Sequence, residues 1–330
     1  MTTVNPHLGE QFLYLSKSDV VAAGVTMQEI LSALEAMFRE KAEGRVDMPP
    51  KIGIHTMPDA FIHAMPASIA ALKSAGIKWV SGYPANTRRG LPYITGLLTL
   101  NDYETGIPIA VMDCTWITAQ RTGAATALSA RYLARADSQT AGILGCGVQG
   151  RSNLEALALL FPLKQIYAYD THVERAAGYA KEMGAQLGIE VVPVSDPKQA
   201  VTSTDLVVTA GPILRQPHAT IKAGWMREGA FASLVDFDSY WEPAALAQLD
   251  KFCTDDIPQL DYYRTLGFFQ HIPKIHADLV ELVAGRKTGR ENPEERTAAC
   301  NLGLALEDMA VAPLIYERAI AGGIGAWLPL

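Results

Sequence analysis

The chain has 330 residues, 49% of them hydrophobic and 19% charged, which excludes a disordered polypeptide and leaves room for two packed domains. Its net charge is -7 and Lys/Arg never run longer than a pair, so the basic footprint of a nucleic-acid or anionic-membrane binder is absent and small molecules or a second copy are the expected partners. No apolar run is long enough to span a bilayer and the first residues lack the basic and apolar regions of a signal peptide, so the sequence reads as cytoplasmic.

In chain order, the pattern predicts a short strand at 12–16 and an amphipathic helix at 27–43, with Ile30, Leu31, Leu34, Met37 and Phe38 on one face. Several strands follow within 50–112, separated by turns such as Gly82-Tyr83-Pro84 and Arg89-Gly90-Leu91-Pro92. A helix at 118–133 leads into a region where apolar β-runs and helical segments alternate. Strands are expected at 140–144, 165–169, 191–194, 205–210, 230–235 and 251–254, and helices at 152–160, 173–187 and from Asp196-Pro197 onward. Such alternation implies a parallel sheet covered on both faces. Residues 298–320 read as one long helix, with Leu302, Leu306, Met309, Leu314 and Ile315 in phase, returning to the first domain. The expected fold is therefore α/β: a doubly wound, Rossmann-type domain at 126–299 and a discontinuous α+β domain made of 1–125 and 300–330.

The densest chemical signal is Gly145-Cys146-Gly147-Val148-Gln149-Gly150, which leaves one predicted strand and opens a helix. Gly145 suits a tight turn, Gly147 lets a pyrophosphate approach the backbone, Gly150 lets helix and strand pack closely, and the helix N-terminus offers free N–H groups to phosphate. Cys146 fits the loop as a small residue. The next strand ends at Asp170, about where a carboxylate meets a ribose 2′-OH. Because Asp170 repels a 2′-phosphate and Thr171-His172-Val173 offers no arginine, NAD(H) is favoured over NADP(H). The four cysteines, Cys114, Cys146, Cys253 and Cys300, are widely spaced, and neither they nor the seven histidines form a metal-ligand cluster.

Several motifs in order, Met65-Pro66, Lys78 to Thr87, Gly106-Ile107-Pro108 leading to Asp113, Ile117 to Thr122, the loop Gly145 to Gly150 and Gly303 to Asp308, resemble the ornithine cyclodeaminase and mu-crystallin family over nearly the whole chain. The resemblance implies a Rossmann domain, a second domain that dimerises through its sheet, and chemistry at the α-carbon of an amino acid. It places Arg45, Lys78 and Arg121 on the substrate carboxylate, Thr122 with the glycine loop on the dinucleotide, and an aspartate after the 230–235 strand in catalysis. Asp238 is preferred there, with Asp236 its rival, and Lys78 or Asp238 would manage the proton at nitrogen. An arginine suits a two-pronged grip on a carboxylate, and a lysine a movable point charge.

One position departs from the cyclodeaminase pattern. Where those enzymes carry a glutamate for the amino group of ornithine, this sequence has His63, which cannot supply the same permanent negative charge. His63 either packs within the sheet or faces the substrate; with Lys51, Arg88 and Arg89 in nearby segments, the latter points toward an acidic imine such as iminosuccinate. The leading expectation is an NAD(H)-dependent imine reductase or amino-acid dehydrogenase, a homodimer, acting on a small α-imino or α-amino acid. The alternatives are an ornithine or lysine cyclodeaminase using NAD catalytically and a non-enzymatic, mu-crystallin-like ligand binder.

Overall fold

The computed structural model describes residues 7–330. The chain forms two compact units, Met1–Arg121 with Leu304–Leu330, and Thr122–Gly303.

The first unit begins with β1 (Gln11–Leu15), α1 (Lys17–Ala22) and α2 (Met27–Ala42). A capping box starts α2: Thr26 Oγ1 accepts the Glu29 N–H at 3.3 Å and the Glu29 carboxylate accepts the Thr26 N–H at 2.9 Å. The apolar stripe predicted for this helix, Ile30 to Phe38, is fully buried. Then come β2 (Val46–Asp47), β3 (Ile52–Ile54), β4 (Phe61–Ile69), β5 (Ser74–Gly82), β6 (Ile94–Asp102) and β7 (Pro108–Asp113). The division between the units falls inside α3 (Thr115–Leu133), at Arg121/Thr122.

The second unit repeats strand and helix: β8 (Thr140–Leu144), α4 (Val148–Leu160), β9 (Gln165–Tyr169), α5 (Val173–Leu187), β10 (Glu190–Val194), α6 (Pro197–Thr202), β11 (Leu206–Thr209) and β12 (Phe231–Leu234). It continues with α7 (Pro243–Leu246), β13 (Lys251–Thr254), α8 (Ile257–Thr265), β14 (Ile275–Asp278), α9 (Leu279–Val283) and β15 (Thr297–Cys300). All eight strands are parallel, in the order β10-β9-β8-β11-β12-β15-β13-β14. The order reverses between β8 and β11, and in such sheets ligands bind beyond the carboxyl ends of the strands at that reversal.

The chain then returns to the first unit as α10 (Ala305–Gly322) and β16 (Ala326–Pro329). The first sheet runs β16-β1-β7-β6-β5-β4-β2, with β3 also paired to β4, and α10 packs on α2, β4 and β5. Among the described residues, no helix is long and apolar enough to cross a membrane.

Two predicted boundaries are corrected. The single helix expected over 298–320 is a strand, β15, followed by a helix from Ala305; Gly303, at φ +81°, separates them. Thr297–Cys300 is buried throughout, so it shows no alternation to set it apart from the helical pattern that follows. The helix expected from 152 begins at Val148, directly after the glycine turn.

Candidate active site

In the second unit, Gly145 turns the chain at φ +108°, and a Cβ there would lie 2.6 Å from the Ala210 carbonyl oxygen, so β-carbon-bearing residues are excluded. At Gly150 a Cβ would come within 2.3 Å of the Gly145 carbonyl oxygen, the close helix–strand contact expected of the third glycine. Gly147 is the N-cap of α4 and no side chain caps that end; where its Cβ would stand there is open space. Backbone N–H groups at a helix start with room in front of them are what a pyrophosphate requires. Val148 beside them is 65% exposed.

Asp170 closes this loop from β9. Its Oδ2 accepts the Cys146 N–H at 3.0 Å and its Oδ1 accepts the His172 N–H at 3.0 Å. Cys146 is buried, and burial beside the Asp170 carboxylate pushes its thiol up to about 12, so it stays an inert thiol. Arg151 latches the loop from behind: Nη1 donates to the Cys146 and Gly147 carbonyls at 2.6 and 3.0 Å, and the guanidinium pairs with Glu182 of α5 through bonds of 3.0 and 2.7 Å. Gln149 is engaged with Asn153, whose amide donates to its carbonyl at 2.8 Å. Thr122 is half-buried on α3 next to Gly123, where a Cβ would meet the Ser152 carbonyl of α4 at 2.3 Å.

Two aspartates follow β12. Asp236 is buried between the ends of β11 and β12: Thr209 Oγ1 donates to its Oδ1 at 2.6 Å and the Gly211 N–H to its Oδ2 at 2.9 Å. Burial raises its pKa to about 7 against the lowering effect of these bonds. Phe237 between the aspartates takes a left-handed φ of +62°, costly for a bulky residue, and buries its ring against Tyr263, Phe268 and Phe269. Asp238 is also raised by burial, and the Phe269 amide and His271 act on it instead.

In the first unit, Lys78 points into the core. On β5 it stands opposite Met65 of β4, and it has no solvent exposure. Its Nζ lies 2.6 Å from Asp308 Oδ2 and donates to Thr118 Oγ1 at 3.4 Å. Arg121 Nη1 donates to Glu307 at 2.8 Å, and its Nε lies 3.6 Å from Asp308. Glu307 and Asp308 sit in the first turn of α10, where the helix N-terminus favours negative charge. Burial pulls the Lys78 pKa down and Asp308 holds it up. A buried ion pair with α10 thus fixes Lys78.

His63 lies two residues before Met65 and so shares its face of β4. Its ring stacks on Phe61, 4.2 Å between centroids and 16° between planes, and lies over Gly53, where a Cβ would fall 2.3 Å away. Burial, then the charges of Lys51, His55 and Lys78, lower its pKa to about 3, so the imidazole is neutral at any physiological pH. Lys51 is a functional candidate that motif reading passed over as a site residue. It is buried and precedes the Ile52–Ala64 pair, so the ladder continued would set it opposite Met65. The cue was available: a lysine next to a strand whose partner carries Met65. Arg45 has a different setting, half-exposed ahead of β2 and held by Glu40 through bonds of 2.7 and 3.0 Å.

The family model for ornithine cyclodeaminase/mu-crystallin proteins matches residues 13–323. This chain belongs to that family. It is 34% identical to the alanine dehydrogenase of Archaeoglobus fulgidus, over 95% of this chain and 97% of the relative. Among solved structures, the Δ1-pyrroline-2-carboxylate reductase of Thermococcus litoralis in complex with NADH and L-proline superposes with a TM-score of 0.87 at 34% identity, covering 96% of this chain and 99% of that one. An archaeal alanine dehydrogenase dimer with bound NAD gives 0.85 at 33% identity, with 96% and 99% covered. These matches run through both units and include the elements that carry Lys78, the glycine loop and Asp308.

Proposed function

We propose that this chain is an NAD(H)-dependent reductase/dehydrogenase that interconverts a small α-imino acid and its L-amino acid. The observation that carries the reading is Lys78, a lysine with no solvent exposure, kept beside Arg121 by two carboxylates of α10. Burying four charged groups is expensive, and such clusters mark sites where charge is used. The relatives that share these elements are named for this chemistry.

In the second unit, the Gly145–Gly150 loop and the start of α4 hold the pyrophosphate, Arg151 keeps the loop in shape, and Asp170 takes the ribose hydroxyls and turns away a 2′-phosphate. When bound, the nicotinamide supplies or accepts a hydride at the substrate α-carbon. In the first unit, Lys78 and Arg121, with Lys51 alongside, bind the substrate carboxylate; Arg45 keeps its surface pair with Glu40. Lys78 or Asp238 is the residue proposed to manage the proton at the substrate nitrogen; Asp236, buried with its oxygens bonded to Thr209 and Gly211, is the rival in the same loop.

A neutral His63 brings a hydrogen-bonding edge but no charge. It neither pairs with the second ammonium of ornithine nor compensates a second carboxylate, so a monocarboxylic substrate with an uncharged side chain is proposed over iminosuccinate. The homodimer forms through the outer face of the first sheet, where Ile52, Trp79 and Leu97 lie in one cross-strand row through Ala64 and are 61%, 49% and 47% exposed. A cytoplasmic location belongs to the same proposal.

The test is NADH oxidation with ammonia and each of pyruvate, glyoxylate and oxaloacetate, and with cyclic imines. Net oxidation with a monocarboxylic imine is expected. Proline and ammonia formed from ornithine with no net change in NADH would overturn the reading in favour of a cyclodeaminase.

A further inference from the structure

In the second unit, three carbonyls of the glycine loop receive side-chain donors. Arg151 Nη1 donates to the Cys146 and Gly147 carbonyls at 2.6 and 3.0 Å, and the Tyr179 hydroxyl donates to the Gly150 carbonyl at 2.9 Å. Tyr179 and Glu182 stand three residues apart on α5 and so share a face. Glu182 grips the other edge of the guanidinium with both carboxylate oxygens, at 3.0 and 2.7 Å, and the guanidinium carbon lies 5.3 Å from the centre of the Tyr179 ring. Tyr179 has no solvent exposure, whereas the side chains of Arg151 and Glu182 are 34% and 51% exposed. An ion pair this exposed adds little stability of its own, so its consequence lies in what it orients.

The oriented groups are peptides. In a trans peptide the carbonyl of one residue points opposite to the N–H of the next. The Cys146 carbonyl therefore sets the direction of the Gly147 N–H, and the Gly147 carbonyl that of the Val148 N–H; these amides open α4, whose N-cap is Gly147. We propose that Arg151, Tyr179 and Glu182 are positioning residues for the cofactor pyrophosphate: Arg151 holds, from the carbonyl side, the two peptides whose N–H groups receive it, while α5 holds Arg151 and the turn at Gly150. A cation at the carbonyl end also polarises each peptide and strengthens its N–H as a donor. The proposal rests on the reading of this loop as the pyrophosphate site. It makes dinucleotide affinity depend on side chains of α5 that lie outside the fingerprint of Gly145–Gly150 and Asp170.

The experiment measures the dissociation constants of NADH and of ADP-ribose for the whole protein by calorimetry, with Tm recorded for each variant. Arg151→Met, which keeps the stem and removes the fork, should weaken both ligands by about tenfold, because both carry the pyrophosphate. Arg151→Lys should recover only part of that loss, since one ammonium replaces the fork. Tyr179→Phe deletes a single hydroxyl and Glu182→Gln removes only a charge; each should weaken both ligands by about threefold. A merely structural role would lower Tm and leave the affinity of the folded variants unchanged, so unchanged affinity in both Arg151→Met and Tyr179→Phe would overturn the proposal. Should Arg151→Met fail to fold, Tyr179→Phe and Glu182→Gln decide. The underlying reading fails separately. Gly147 has an ordinary φ of -86°, and a Cβ there meets no heavy atom within 4 Å, so Gly147→Val fits the protein and fills the space in front of the helix start. If Gly147→Val binds NADH at the unmodified affinity, the pyrophosphate lies elsewhere, whatever the α5 variants show.

Discussion

Lys78 in the first unit and Asp236 in the second are both withdrawn from water, yet the protein accommodates them differently. Lys78 meets the Asp308 carboxylate of α10 at 2.6 Å, and Arg121 meets that of Glu307 at 2.8 Å. Asp236 meets a hydroxyl and an amide, and burial raises its pKa to about 7. Pairing gives a buried charge a fixed counter-charge, which opposes the lowering of the Lys78 pKa by burial. Neutral donors instead leave a group that gains and loses a proton where the enzyme works. A paired cation suits holding an anion, and an unpaired buried carboxyl suits exchanging a proton.

The largest effect should come from breaking the pairing. Lys78→Met leaves the buried Asp308 with only the more distant Arg121, 3.6 Å away, so a loss of about 3–5 kcal/mol in denaturant unfolding is expected along with loss of turnover. Lys78→Met/Asp308→Leu should regain much of that stability and none of the activity. If the single variant were as stable as the unmodified protein, the buried pair would not be the constraint described.

The next effect is smaller and depends on pH. The folded-state pKa of Asp236 is raised above the ordinary carboxylate value, so between the two the folded protein holds the proton more tightly than the unfolded chain, and stability falls as pH rises through that window. Asp236→Asn should therefore raise Tm more at pH 8 than at pH 4. An equal Tm shift at the two pH values would mean that Asp236 is not raised.

The third effect concerns specificity. NADH should be preferred over NADPH by at least about tenfold in kcat/KM, or roughly 1.4 kcal/mol, and Asp170→Ala should narrow the gap. Equal use of both cofactors by the unmodified protein would remove Asp170 from its role. The smallest change is expected at His63. His63→Glu should weaken an acidic imine further through like-charge repulsion and give no proline from ornithine.

The two units were also unequally legible in the sequence. The second unit's site is made of backbone at the end of a strand, so its residues are close in sequence: Gly145, Gly147 and Gly150 announce the turn, and Asp170 lies one strand later. Six of its eight parallel strands could be read from apolar runs; β14 was not predicted, and the four buried residues of β15 merge with the helical pattern after them. The first unit's site is made of side chains from distant segments. Nothing near Lys78 or Arg121 in sequence names Glu307 and Asp308 as their partners, and only the packing of α10 on β4 and β5 brings them together. The sequence does not separate Asp236 from Asp238, and the left-handed Phe237 between them is a conformation no propensity assigns to phenylalanine.

The return of the chain to the first sheet also dictates an order of assembly on the ribosome. β16 pairs with β1, and α10 carries the counter-charges of Lys78 and Arg121, yet both are synthesised after the whole of Thr122–Gly303. A nascent chain that closed its first sheet early would enclose two cations with nothing to neutralise them. The contiguous second unit needs no such late arrival and is free to fold while the earlier sheet waits, open, for its last helix and strand.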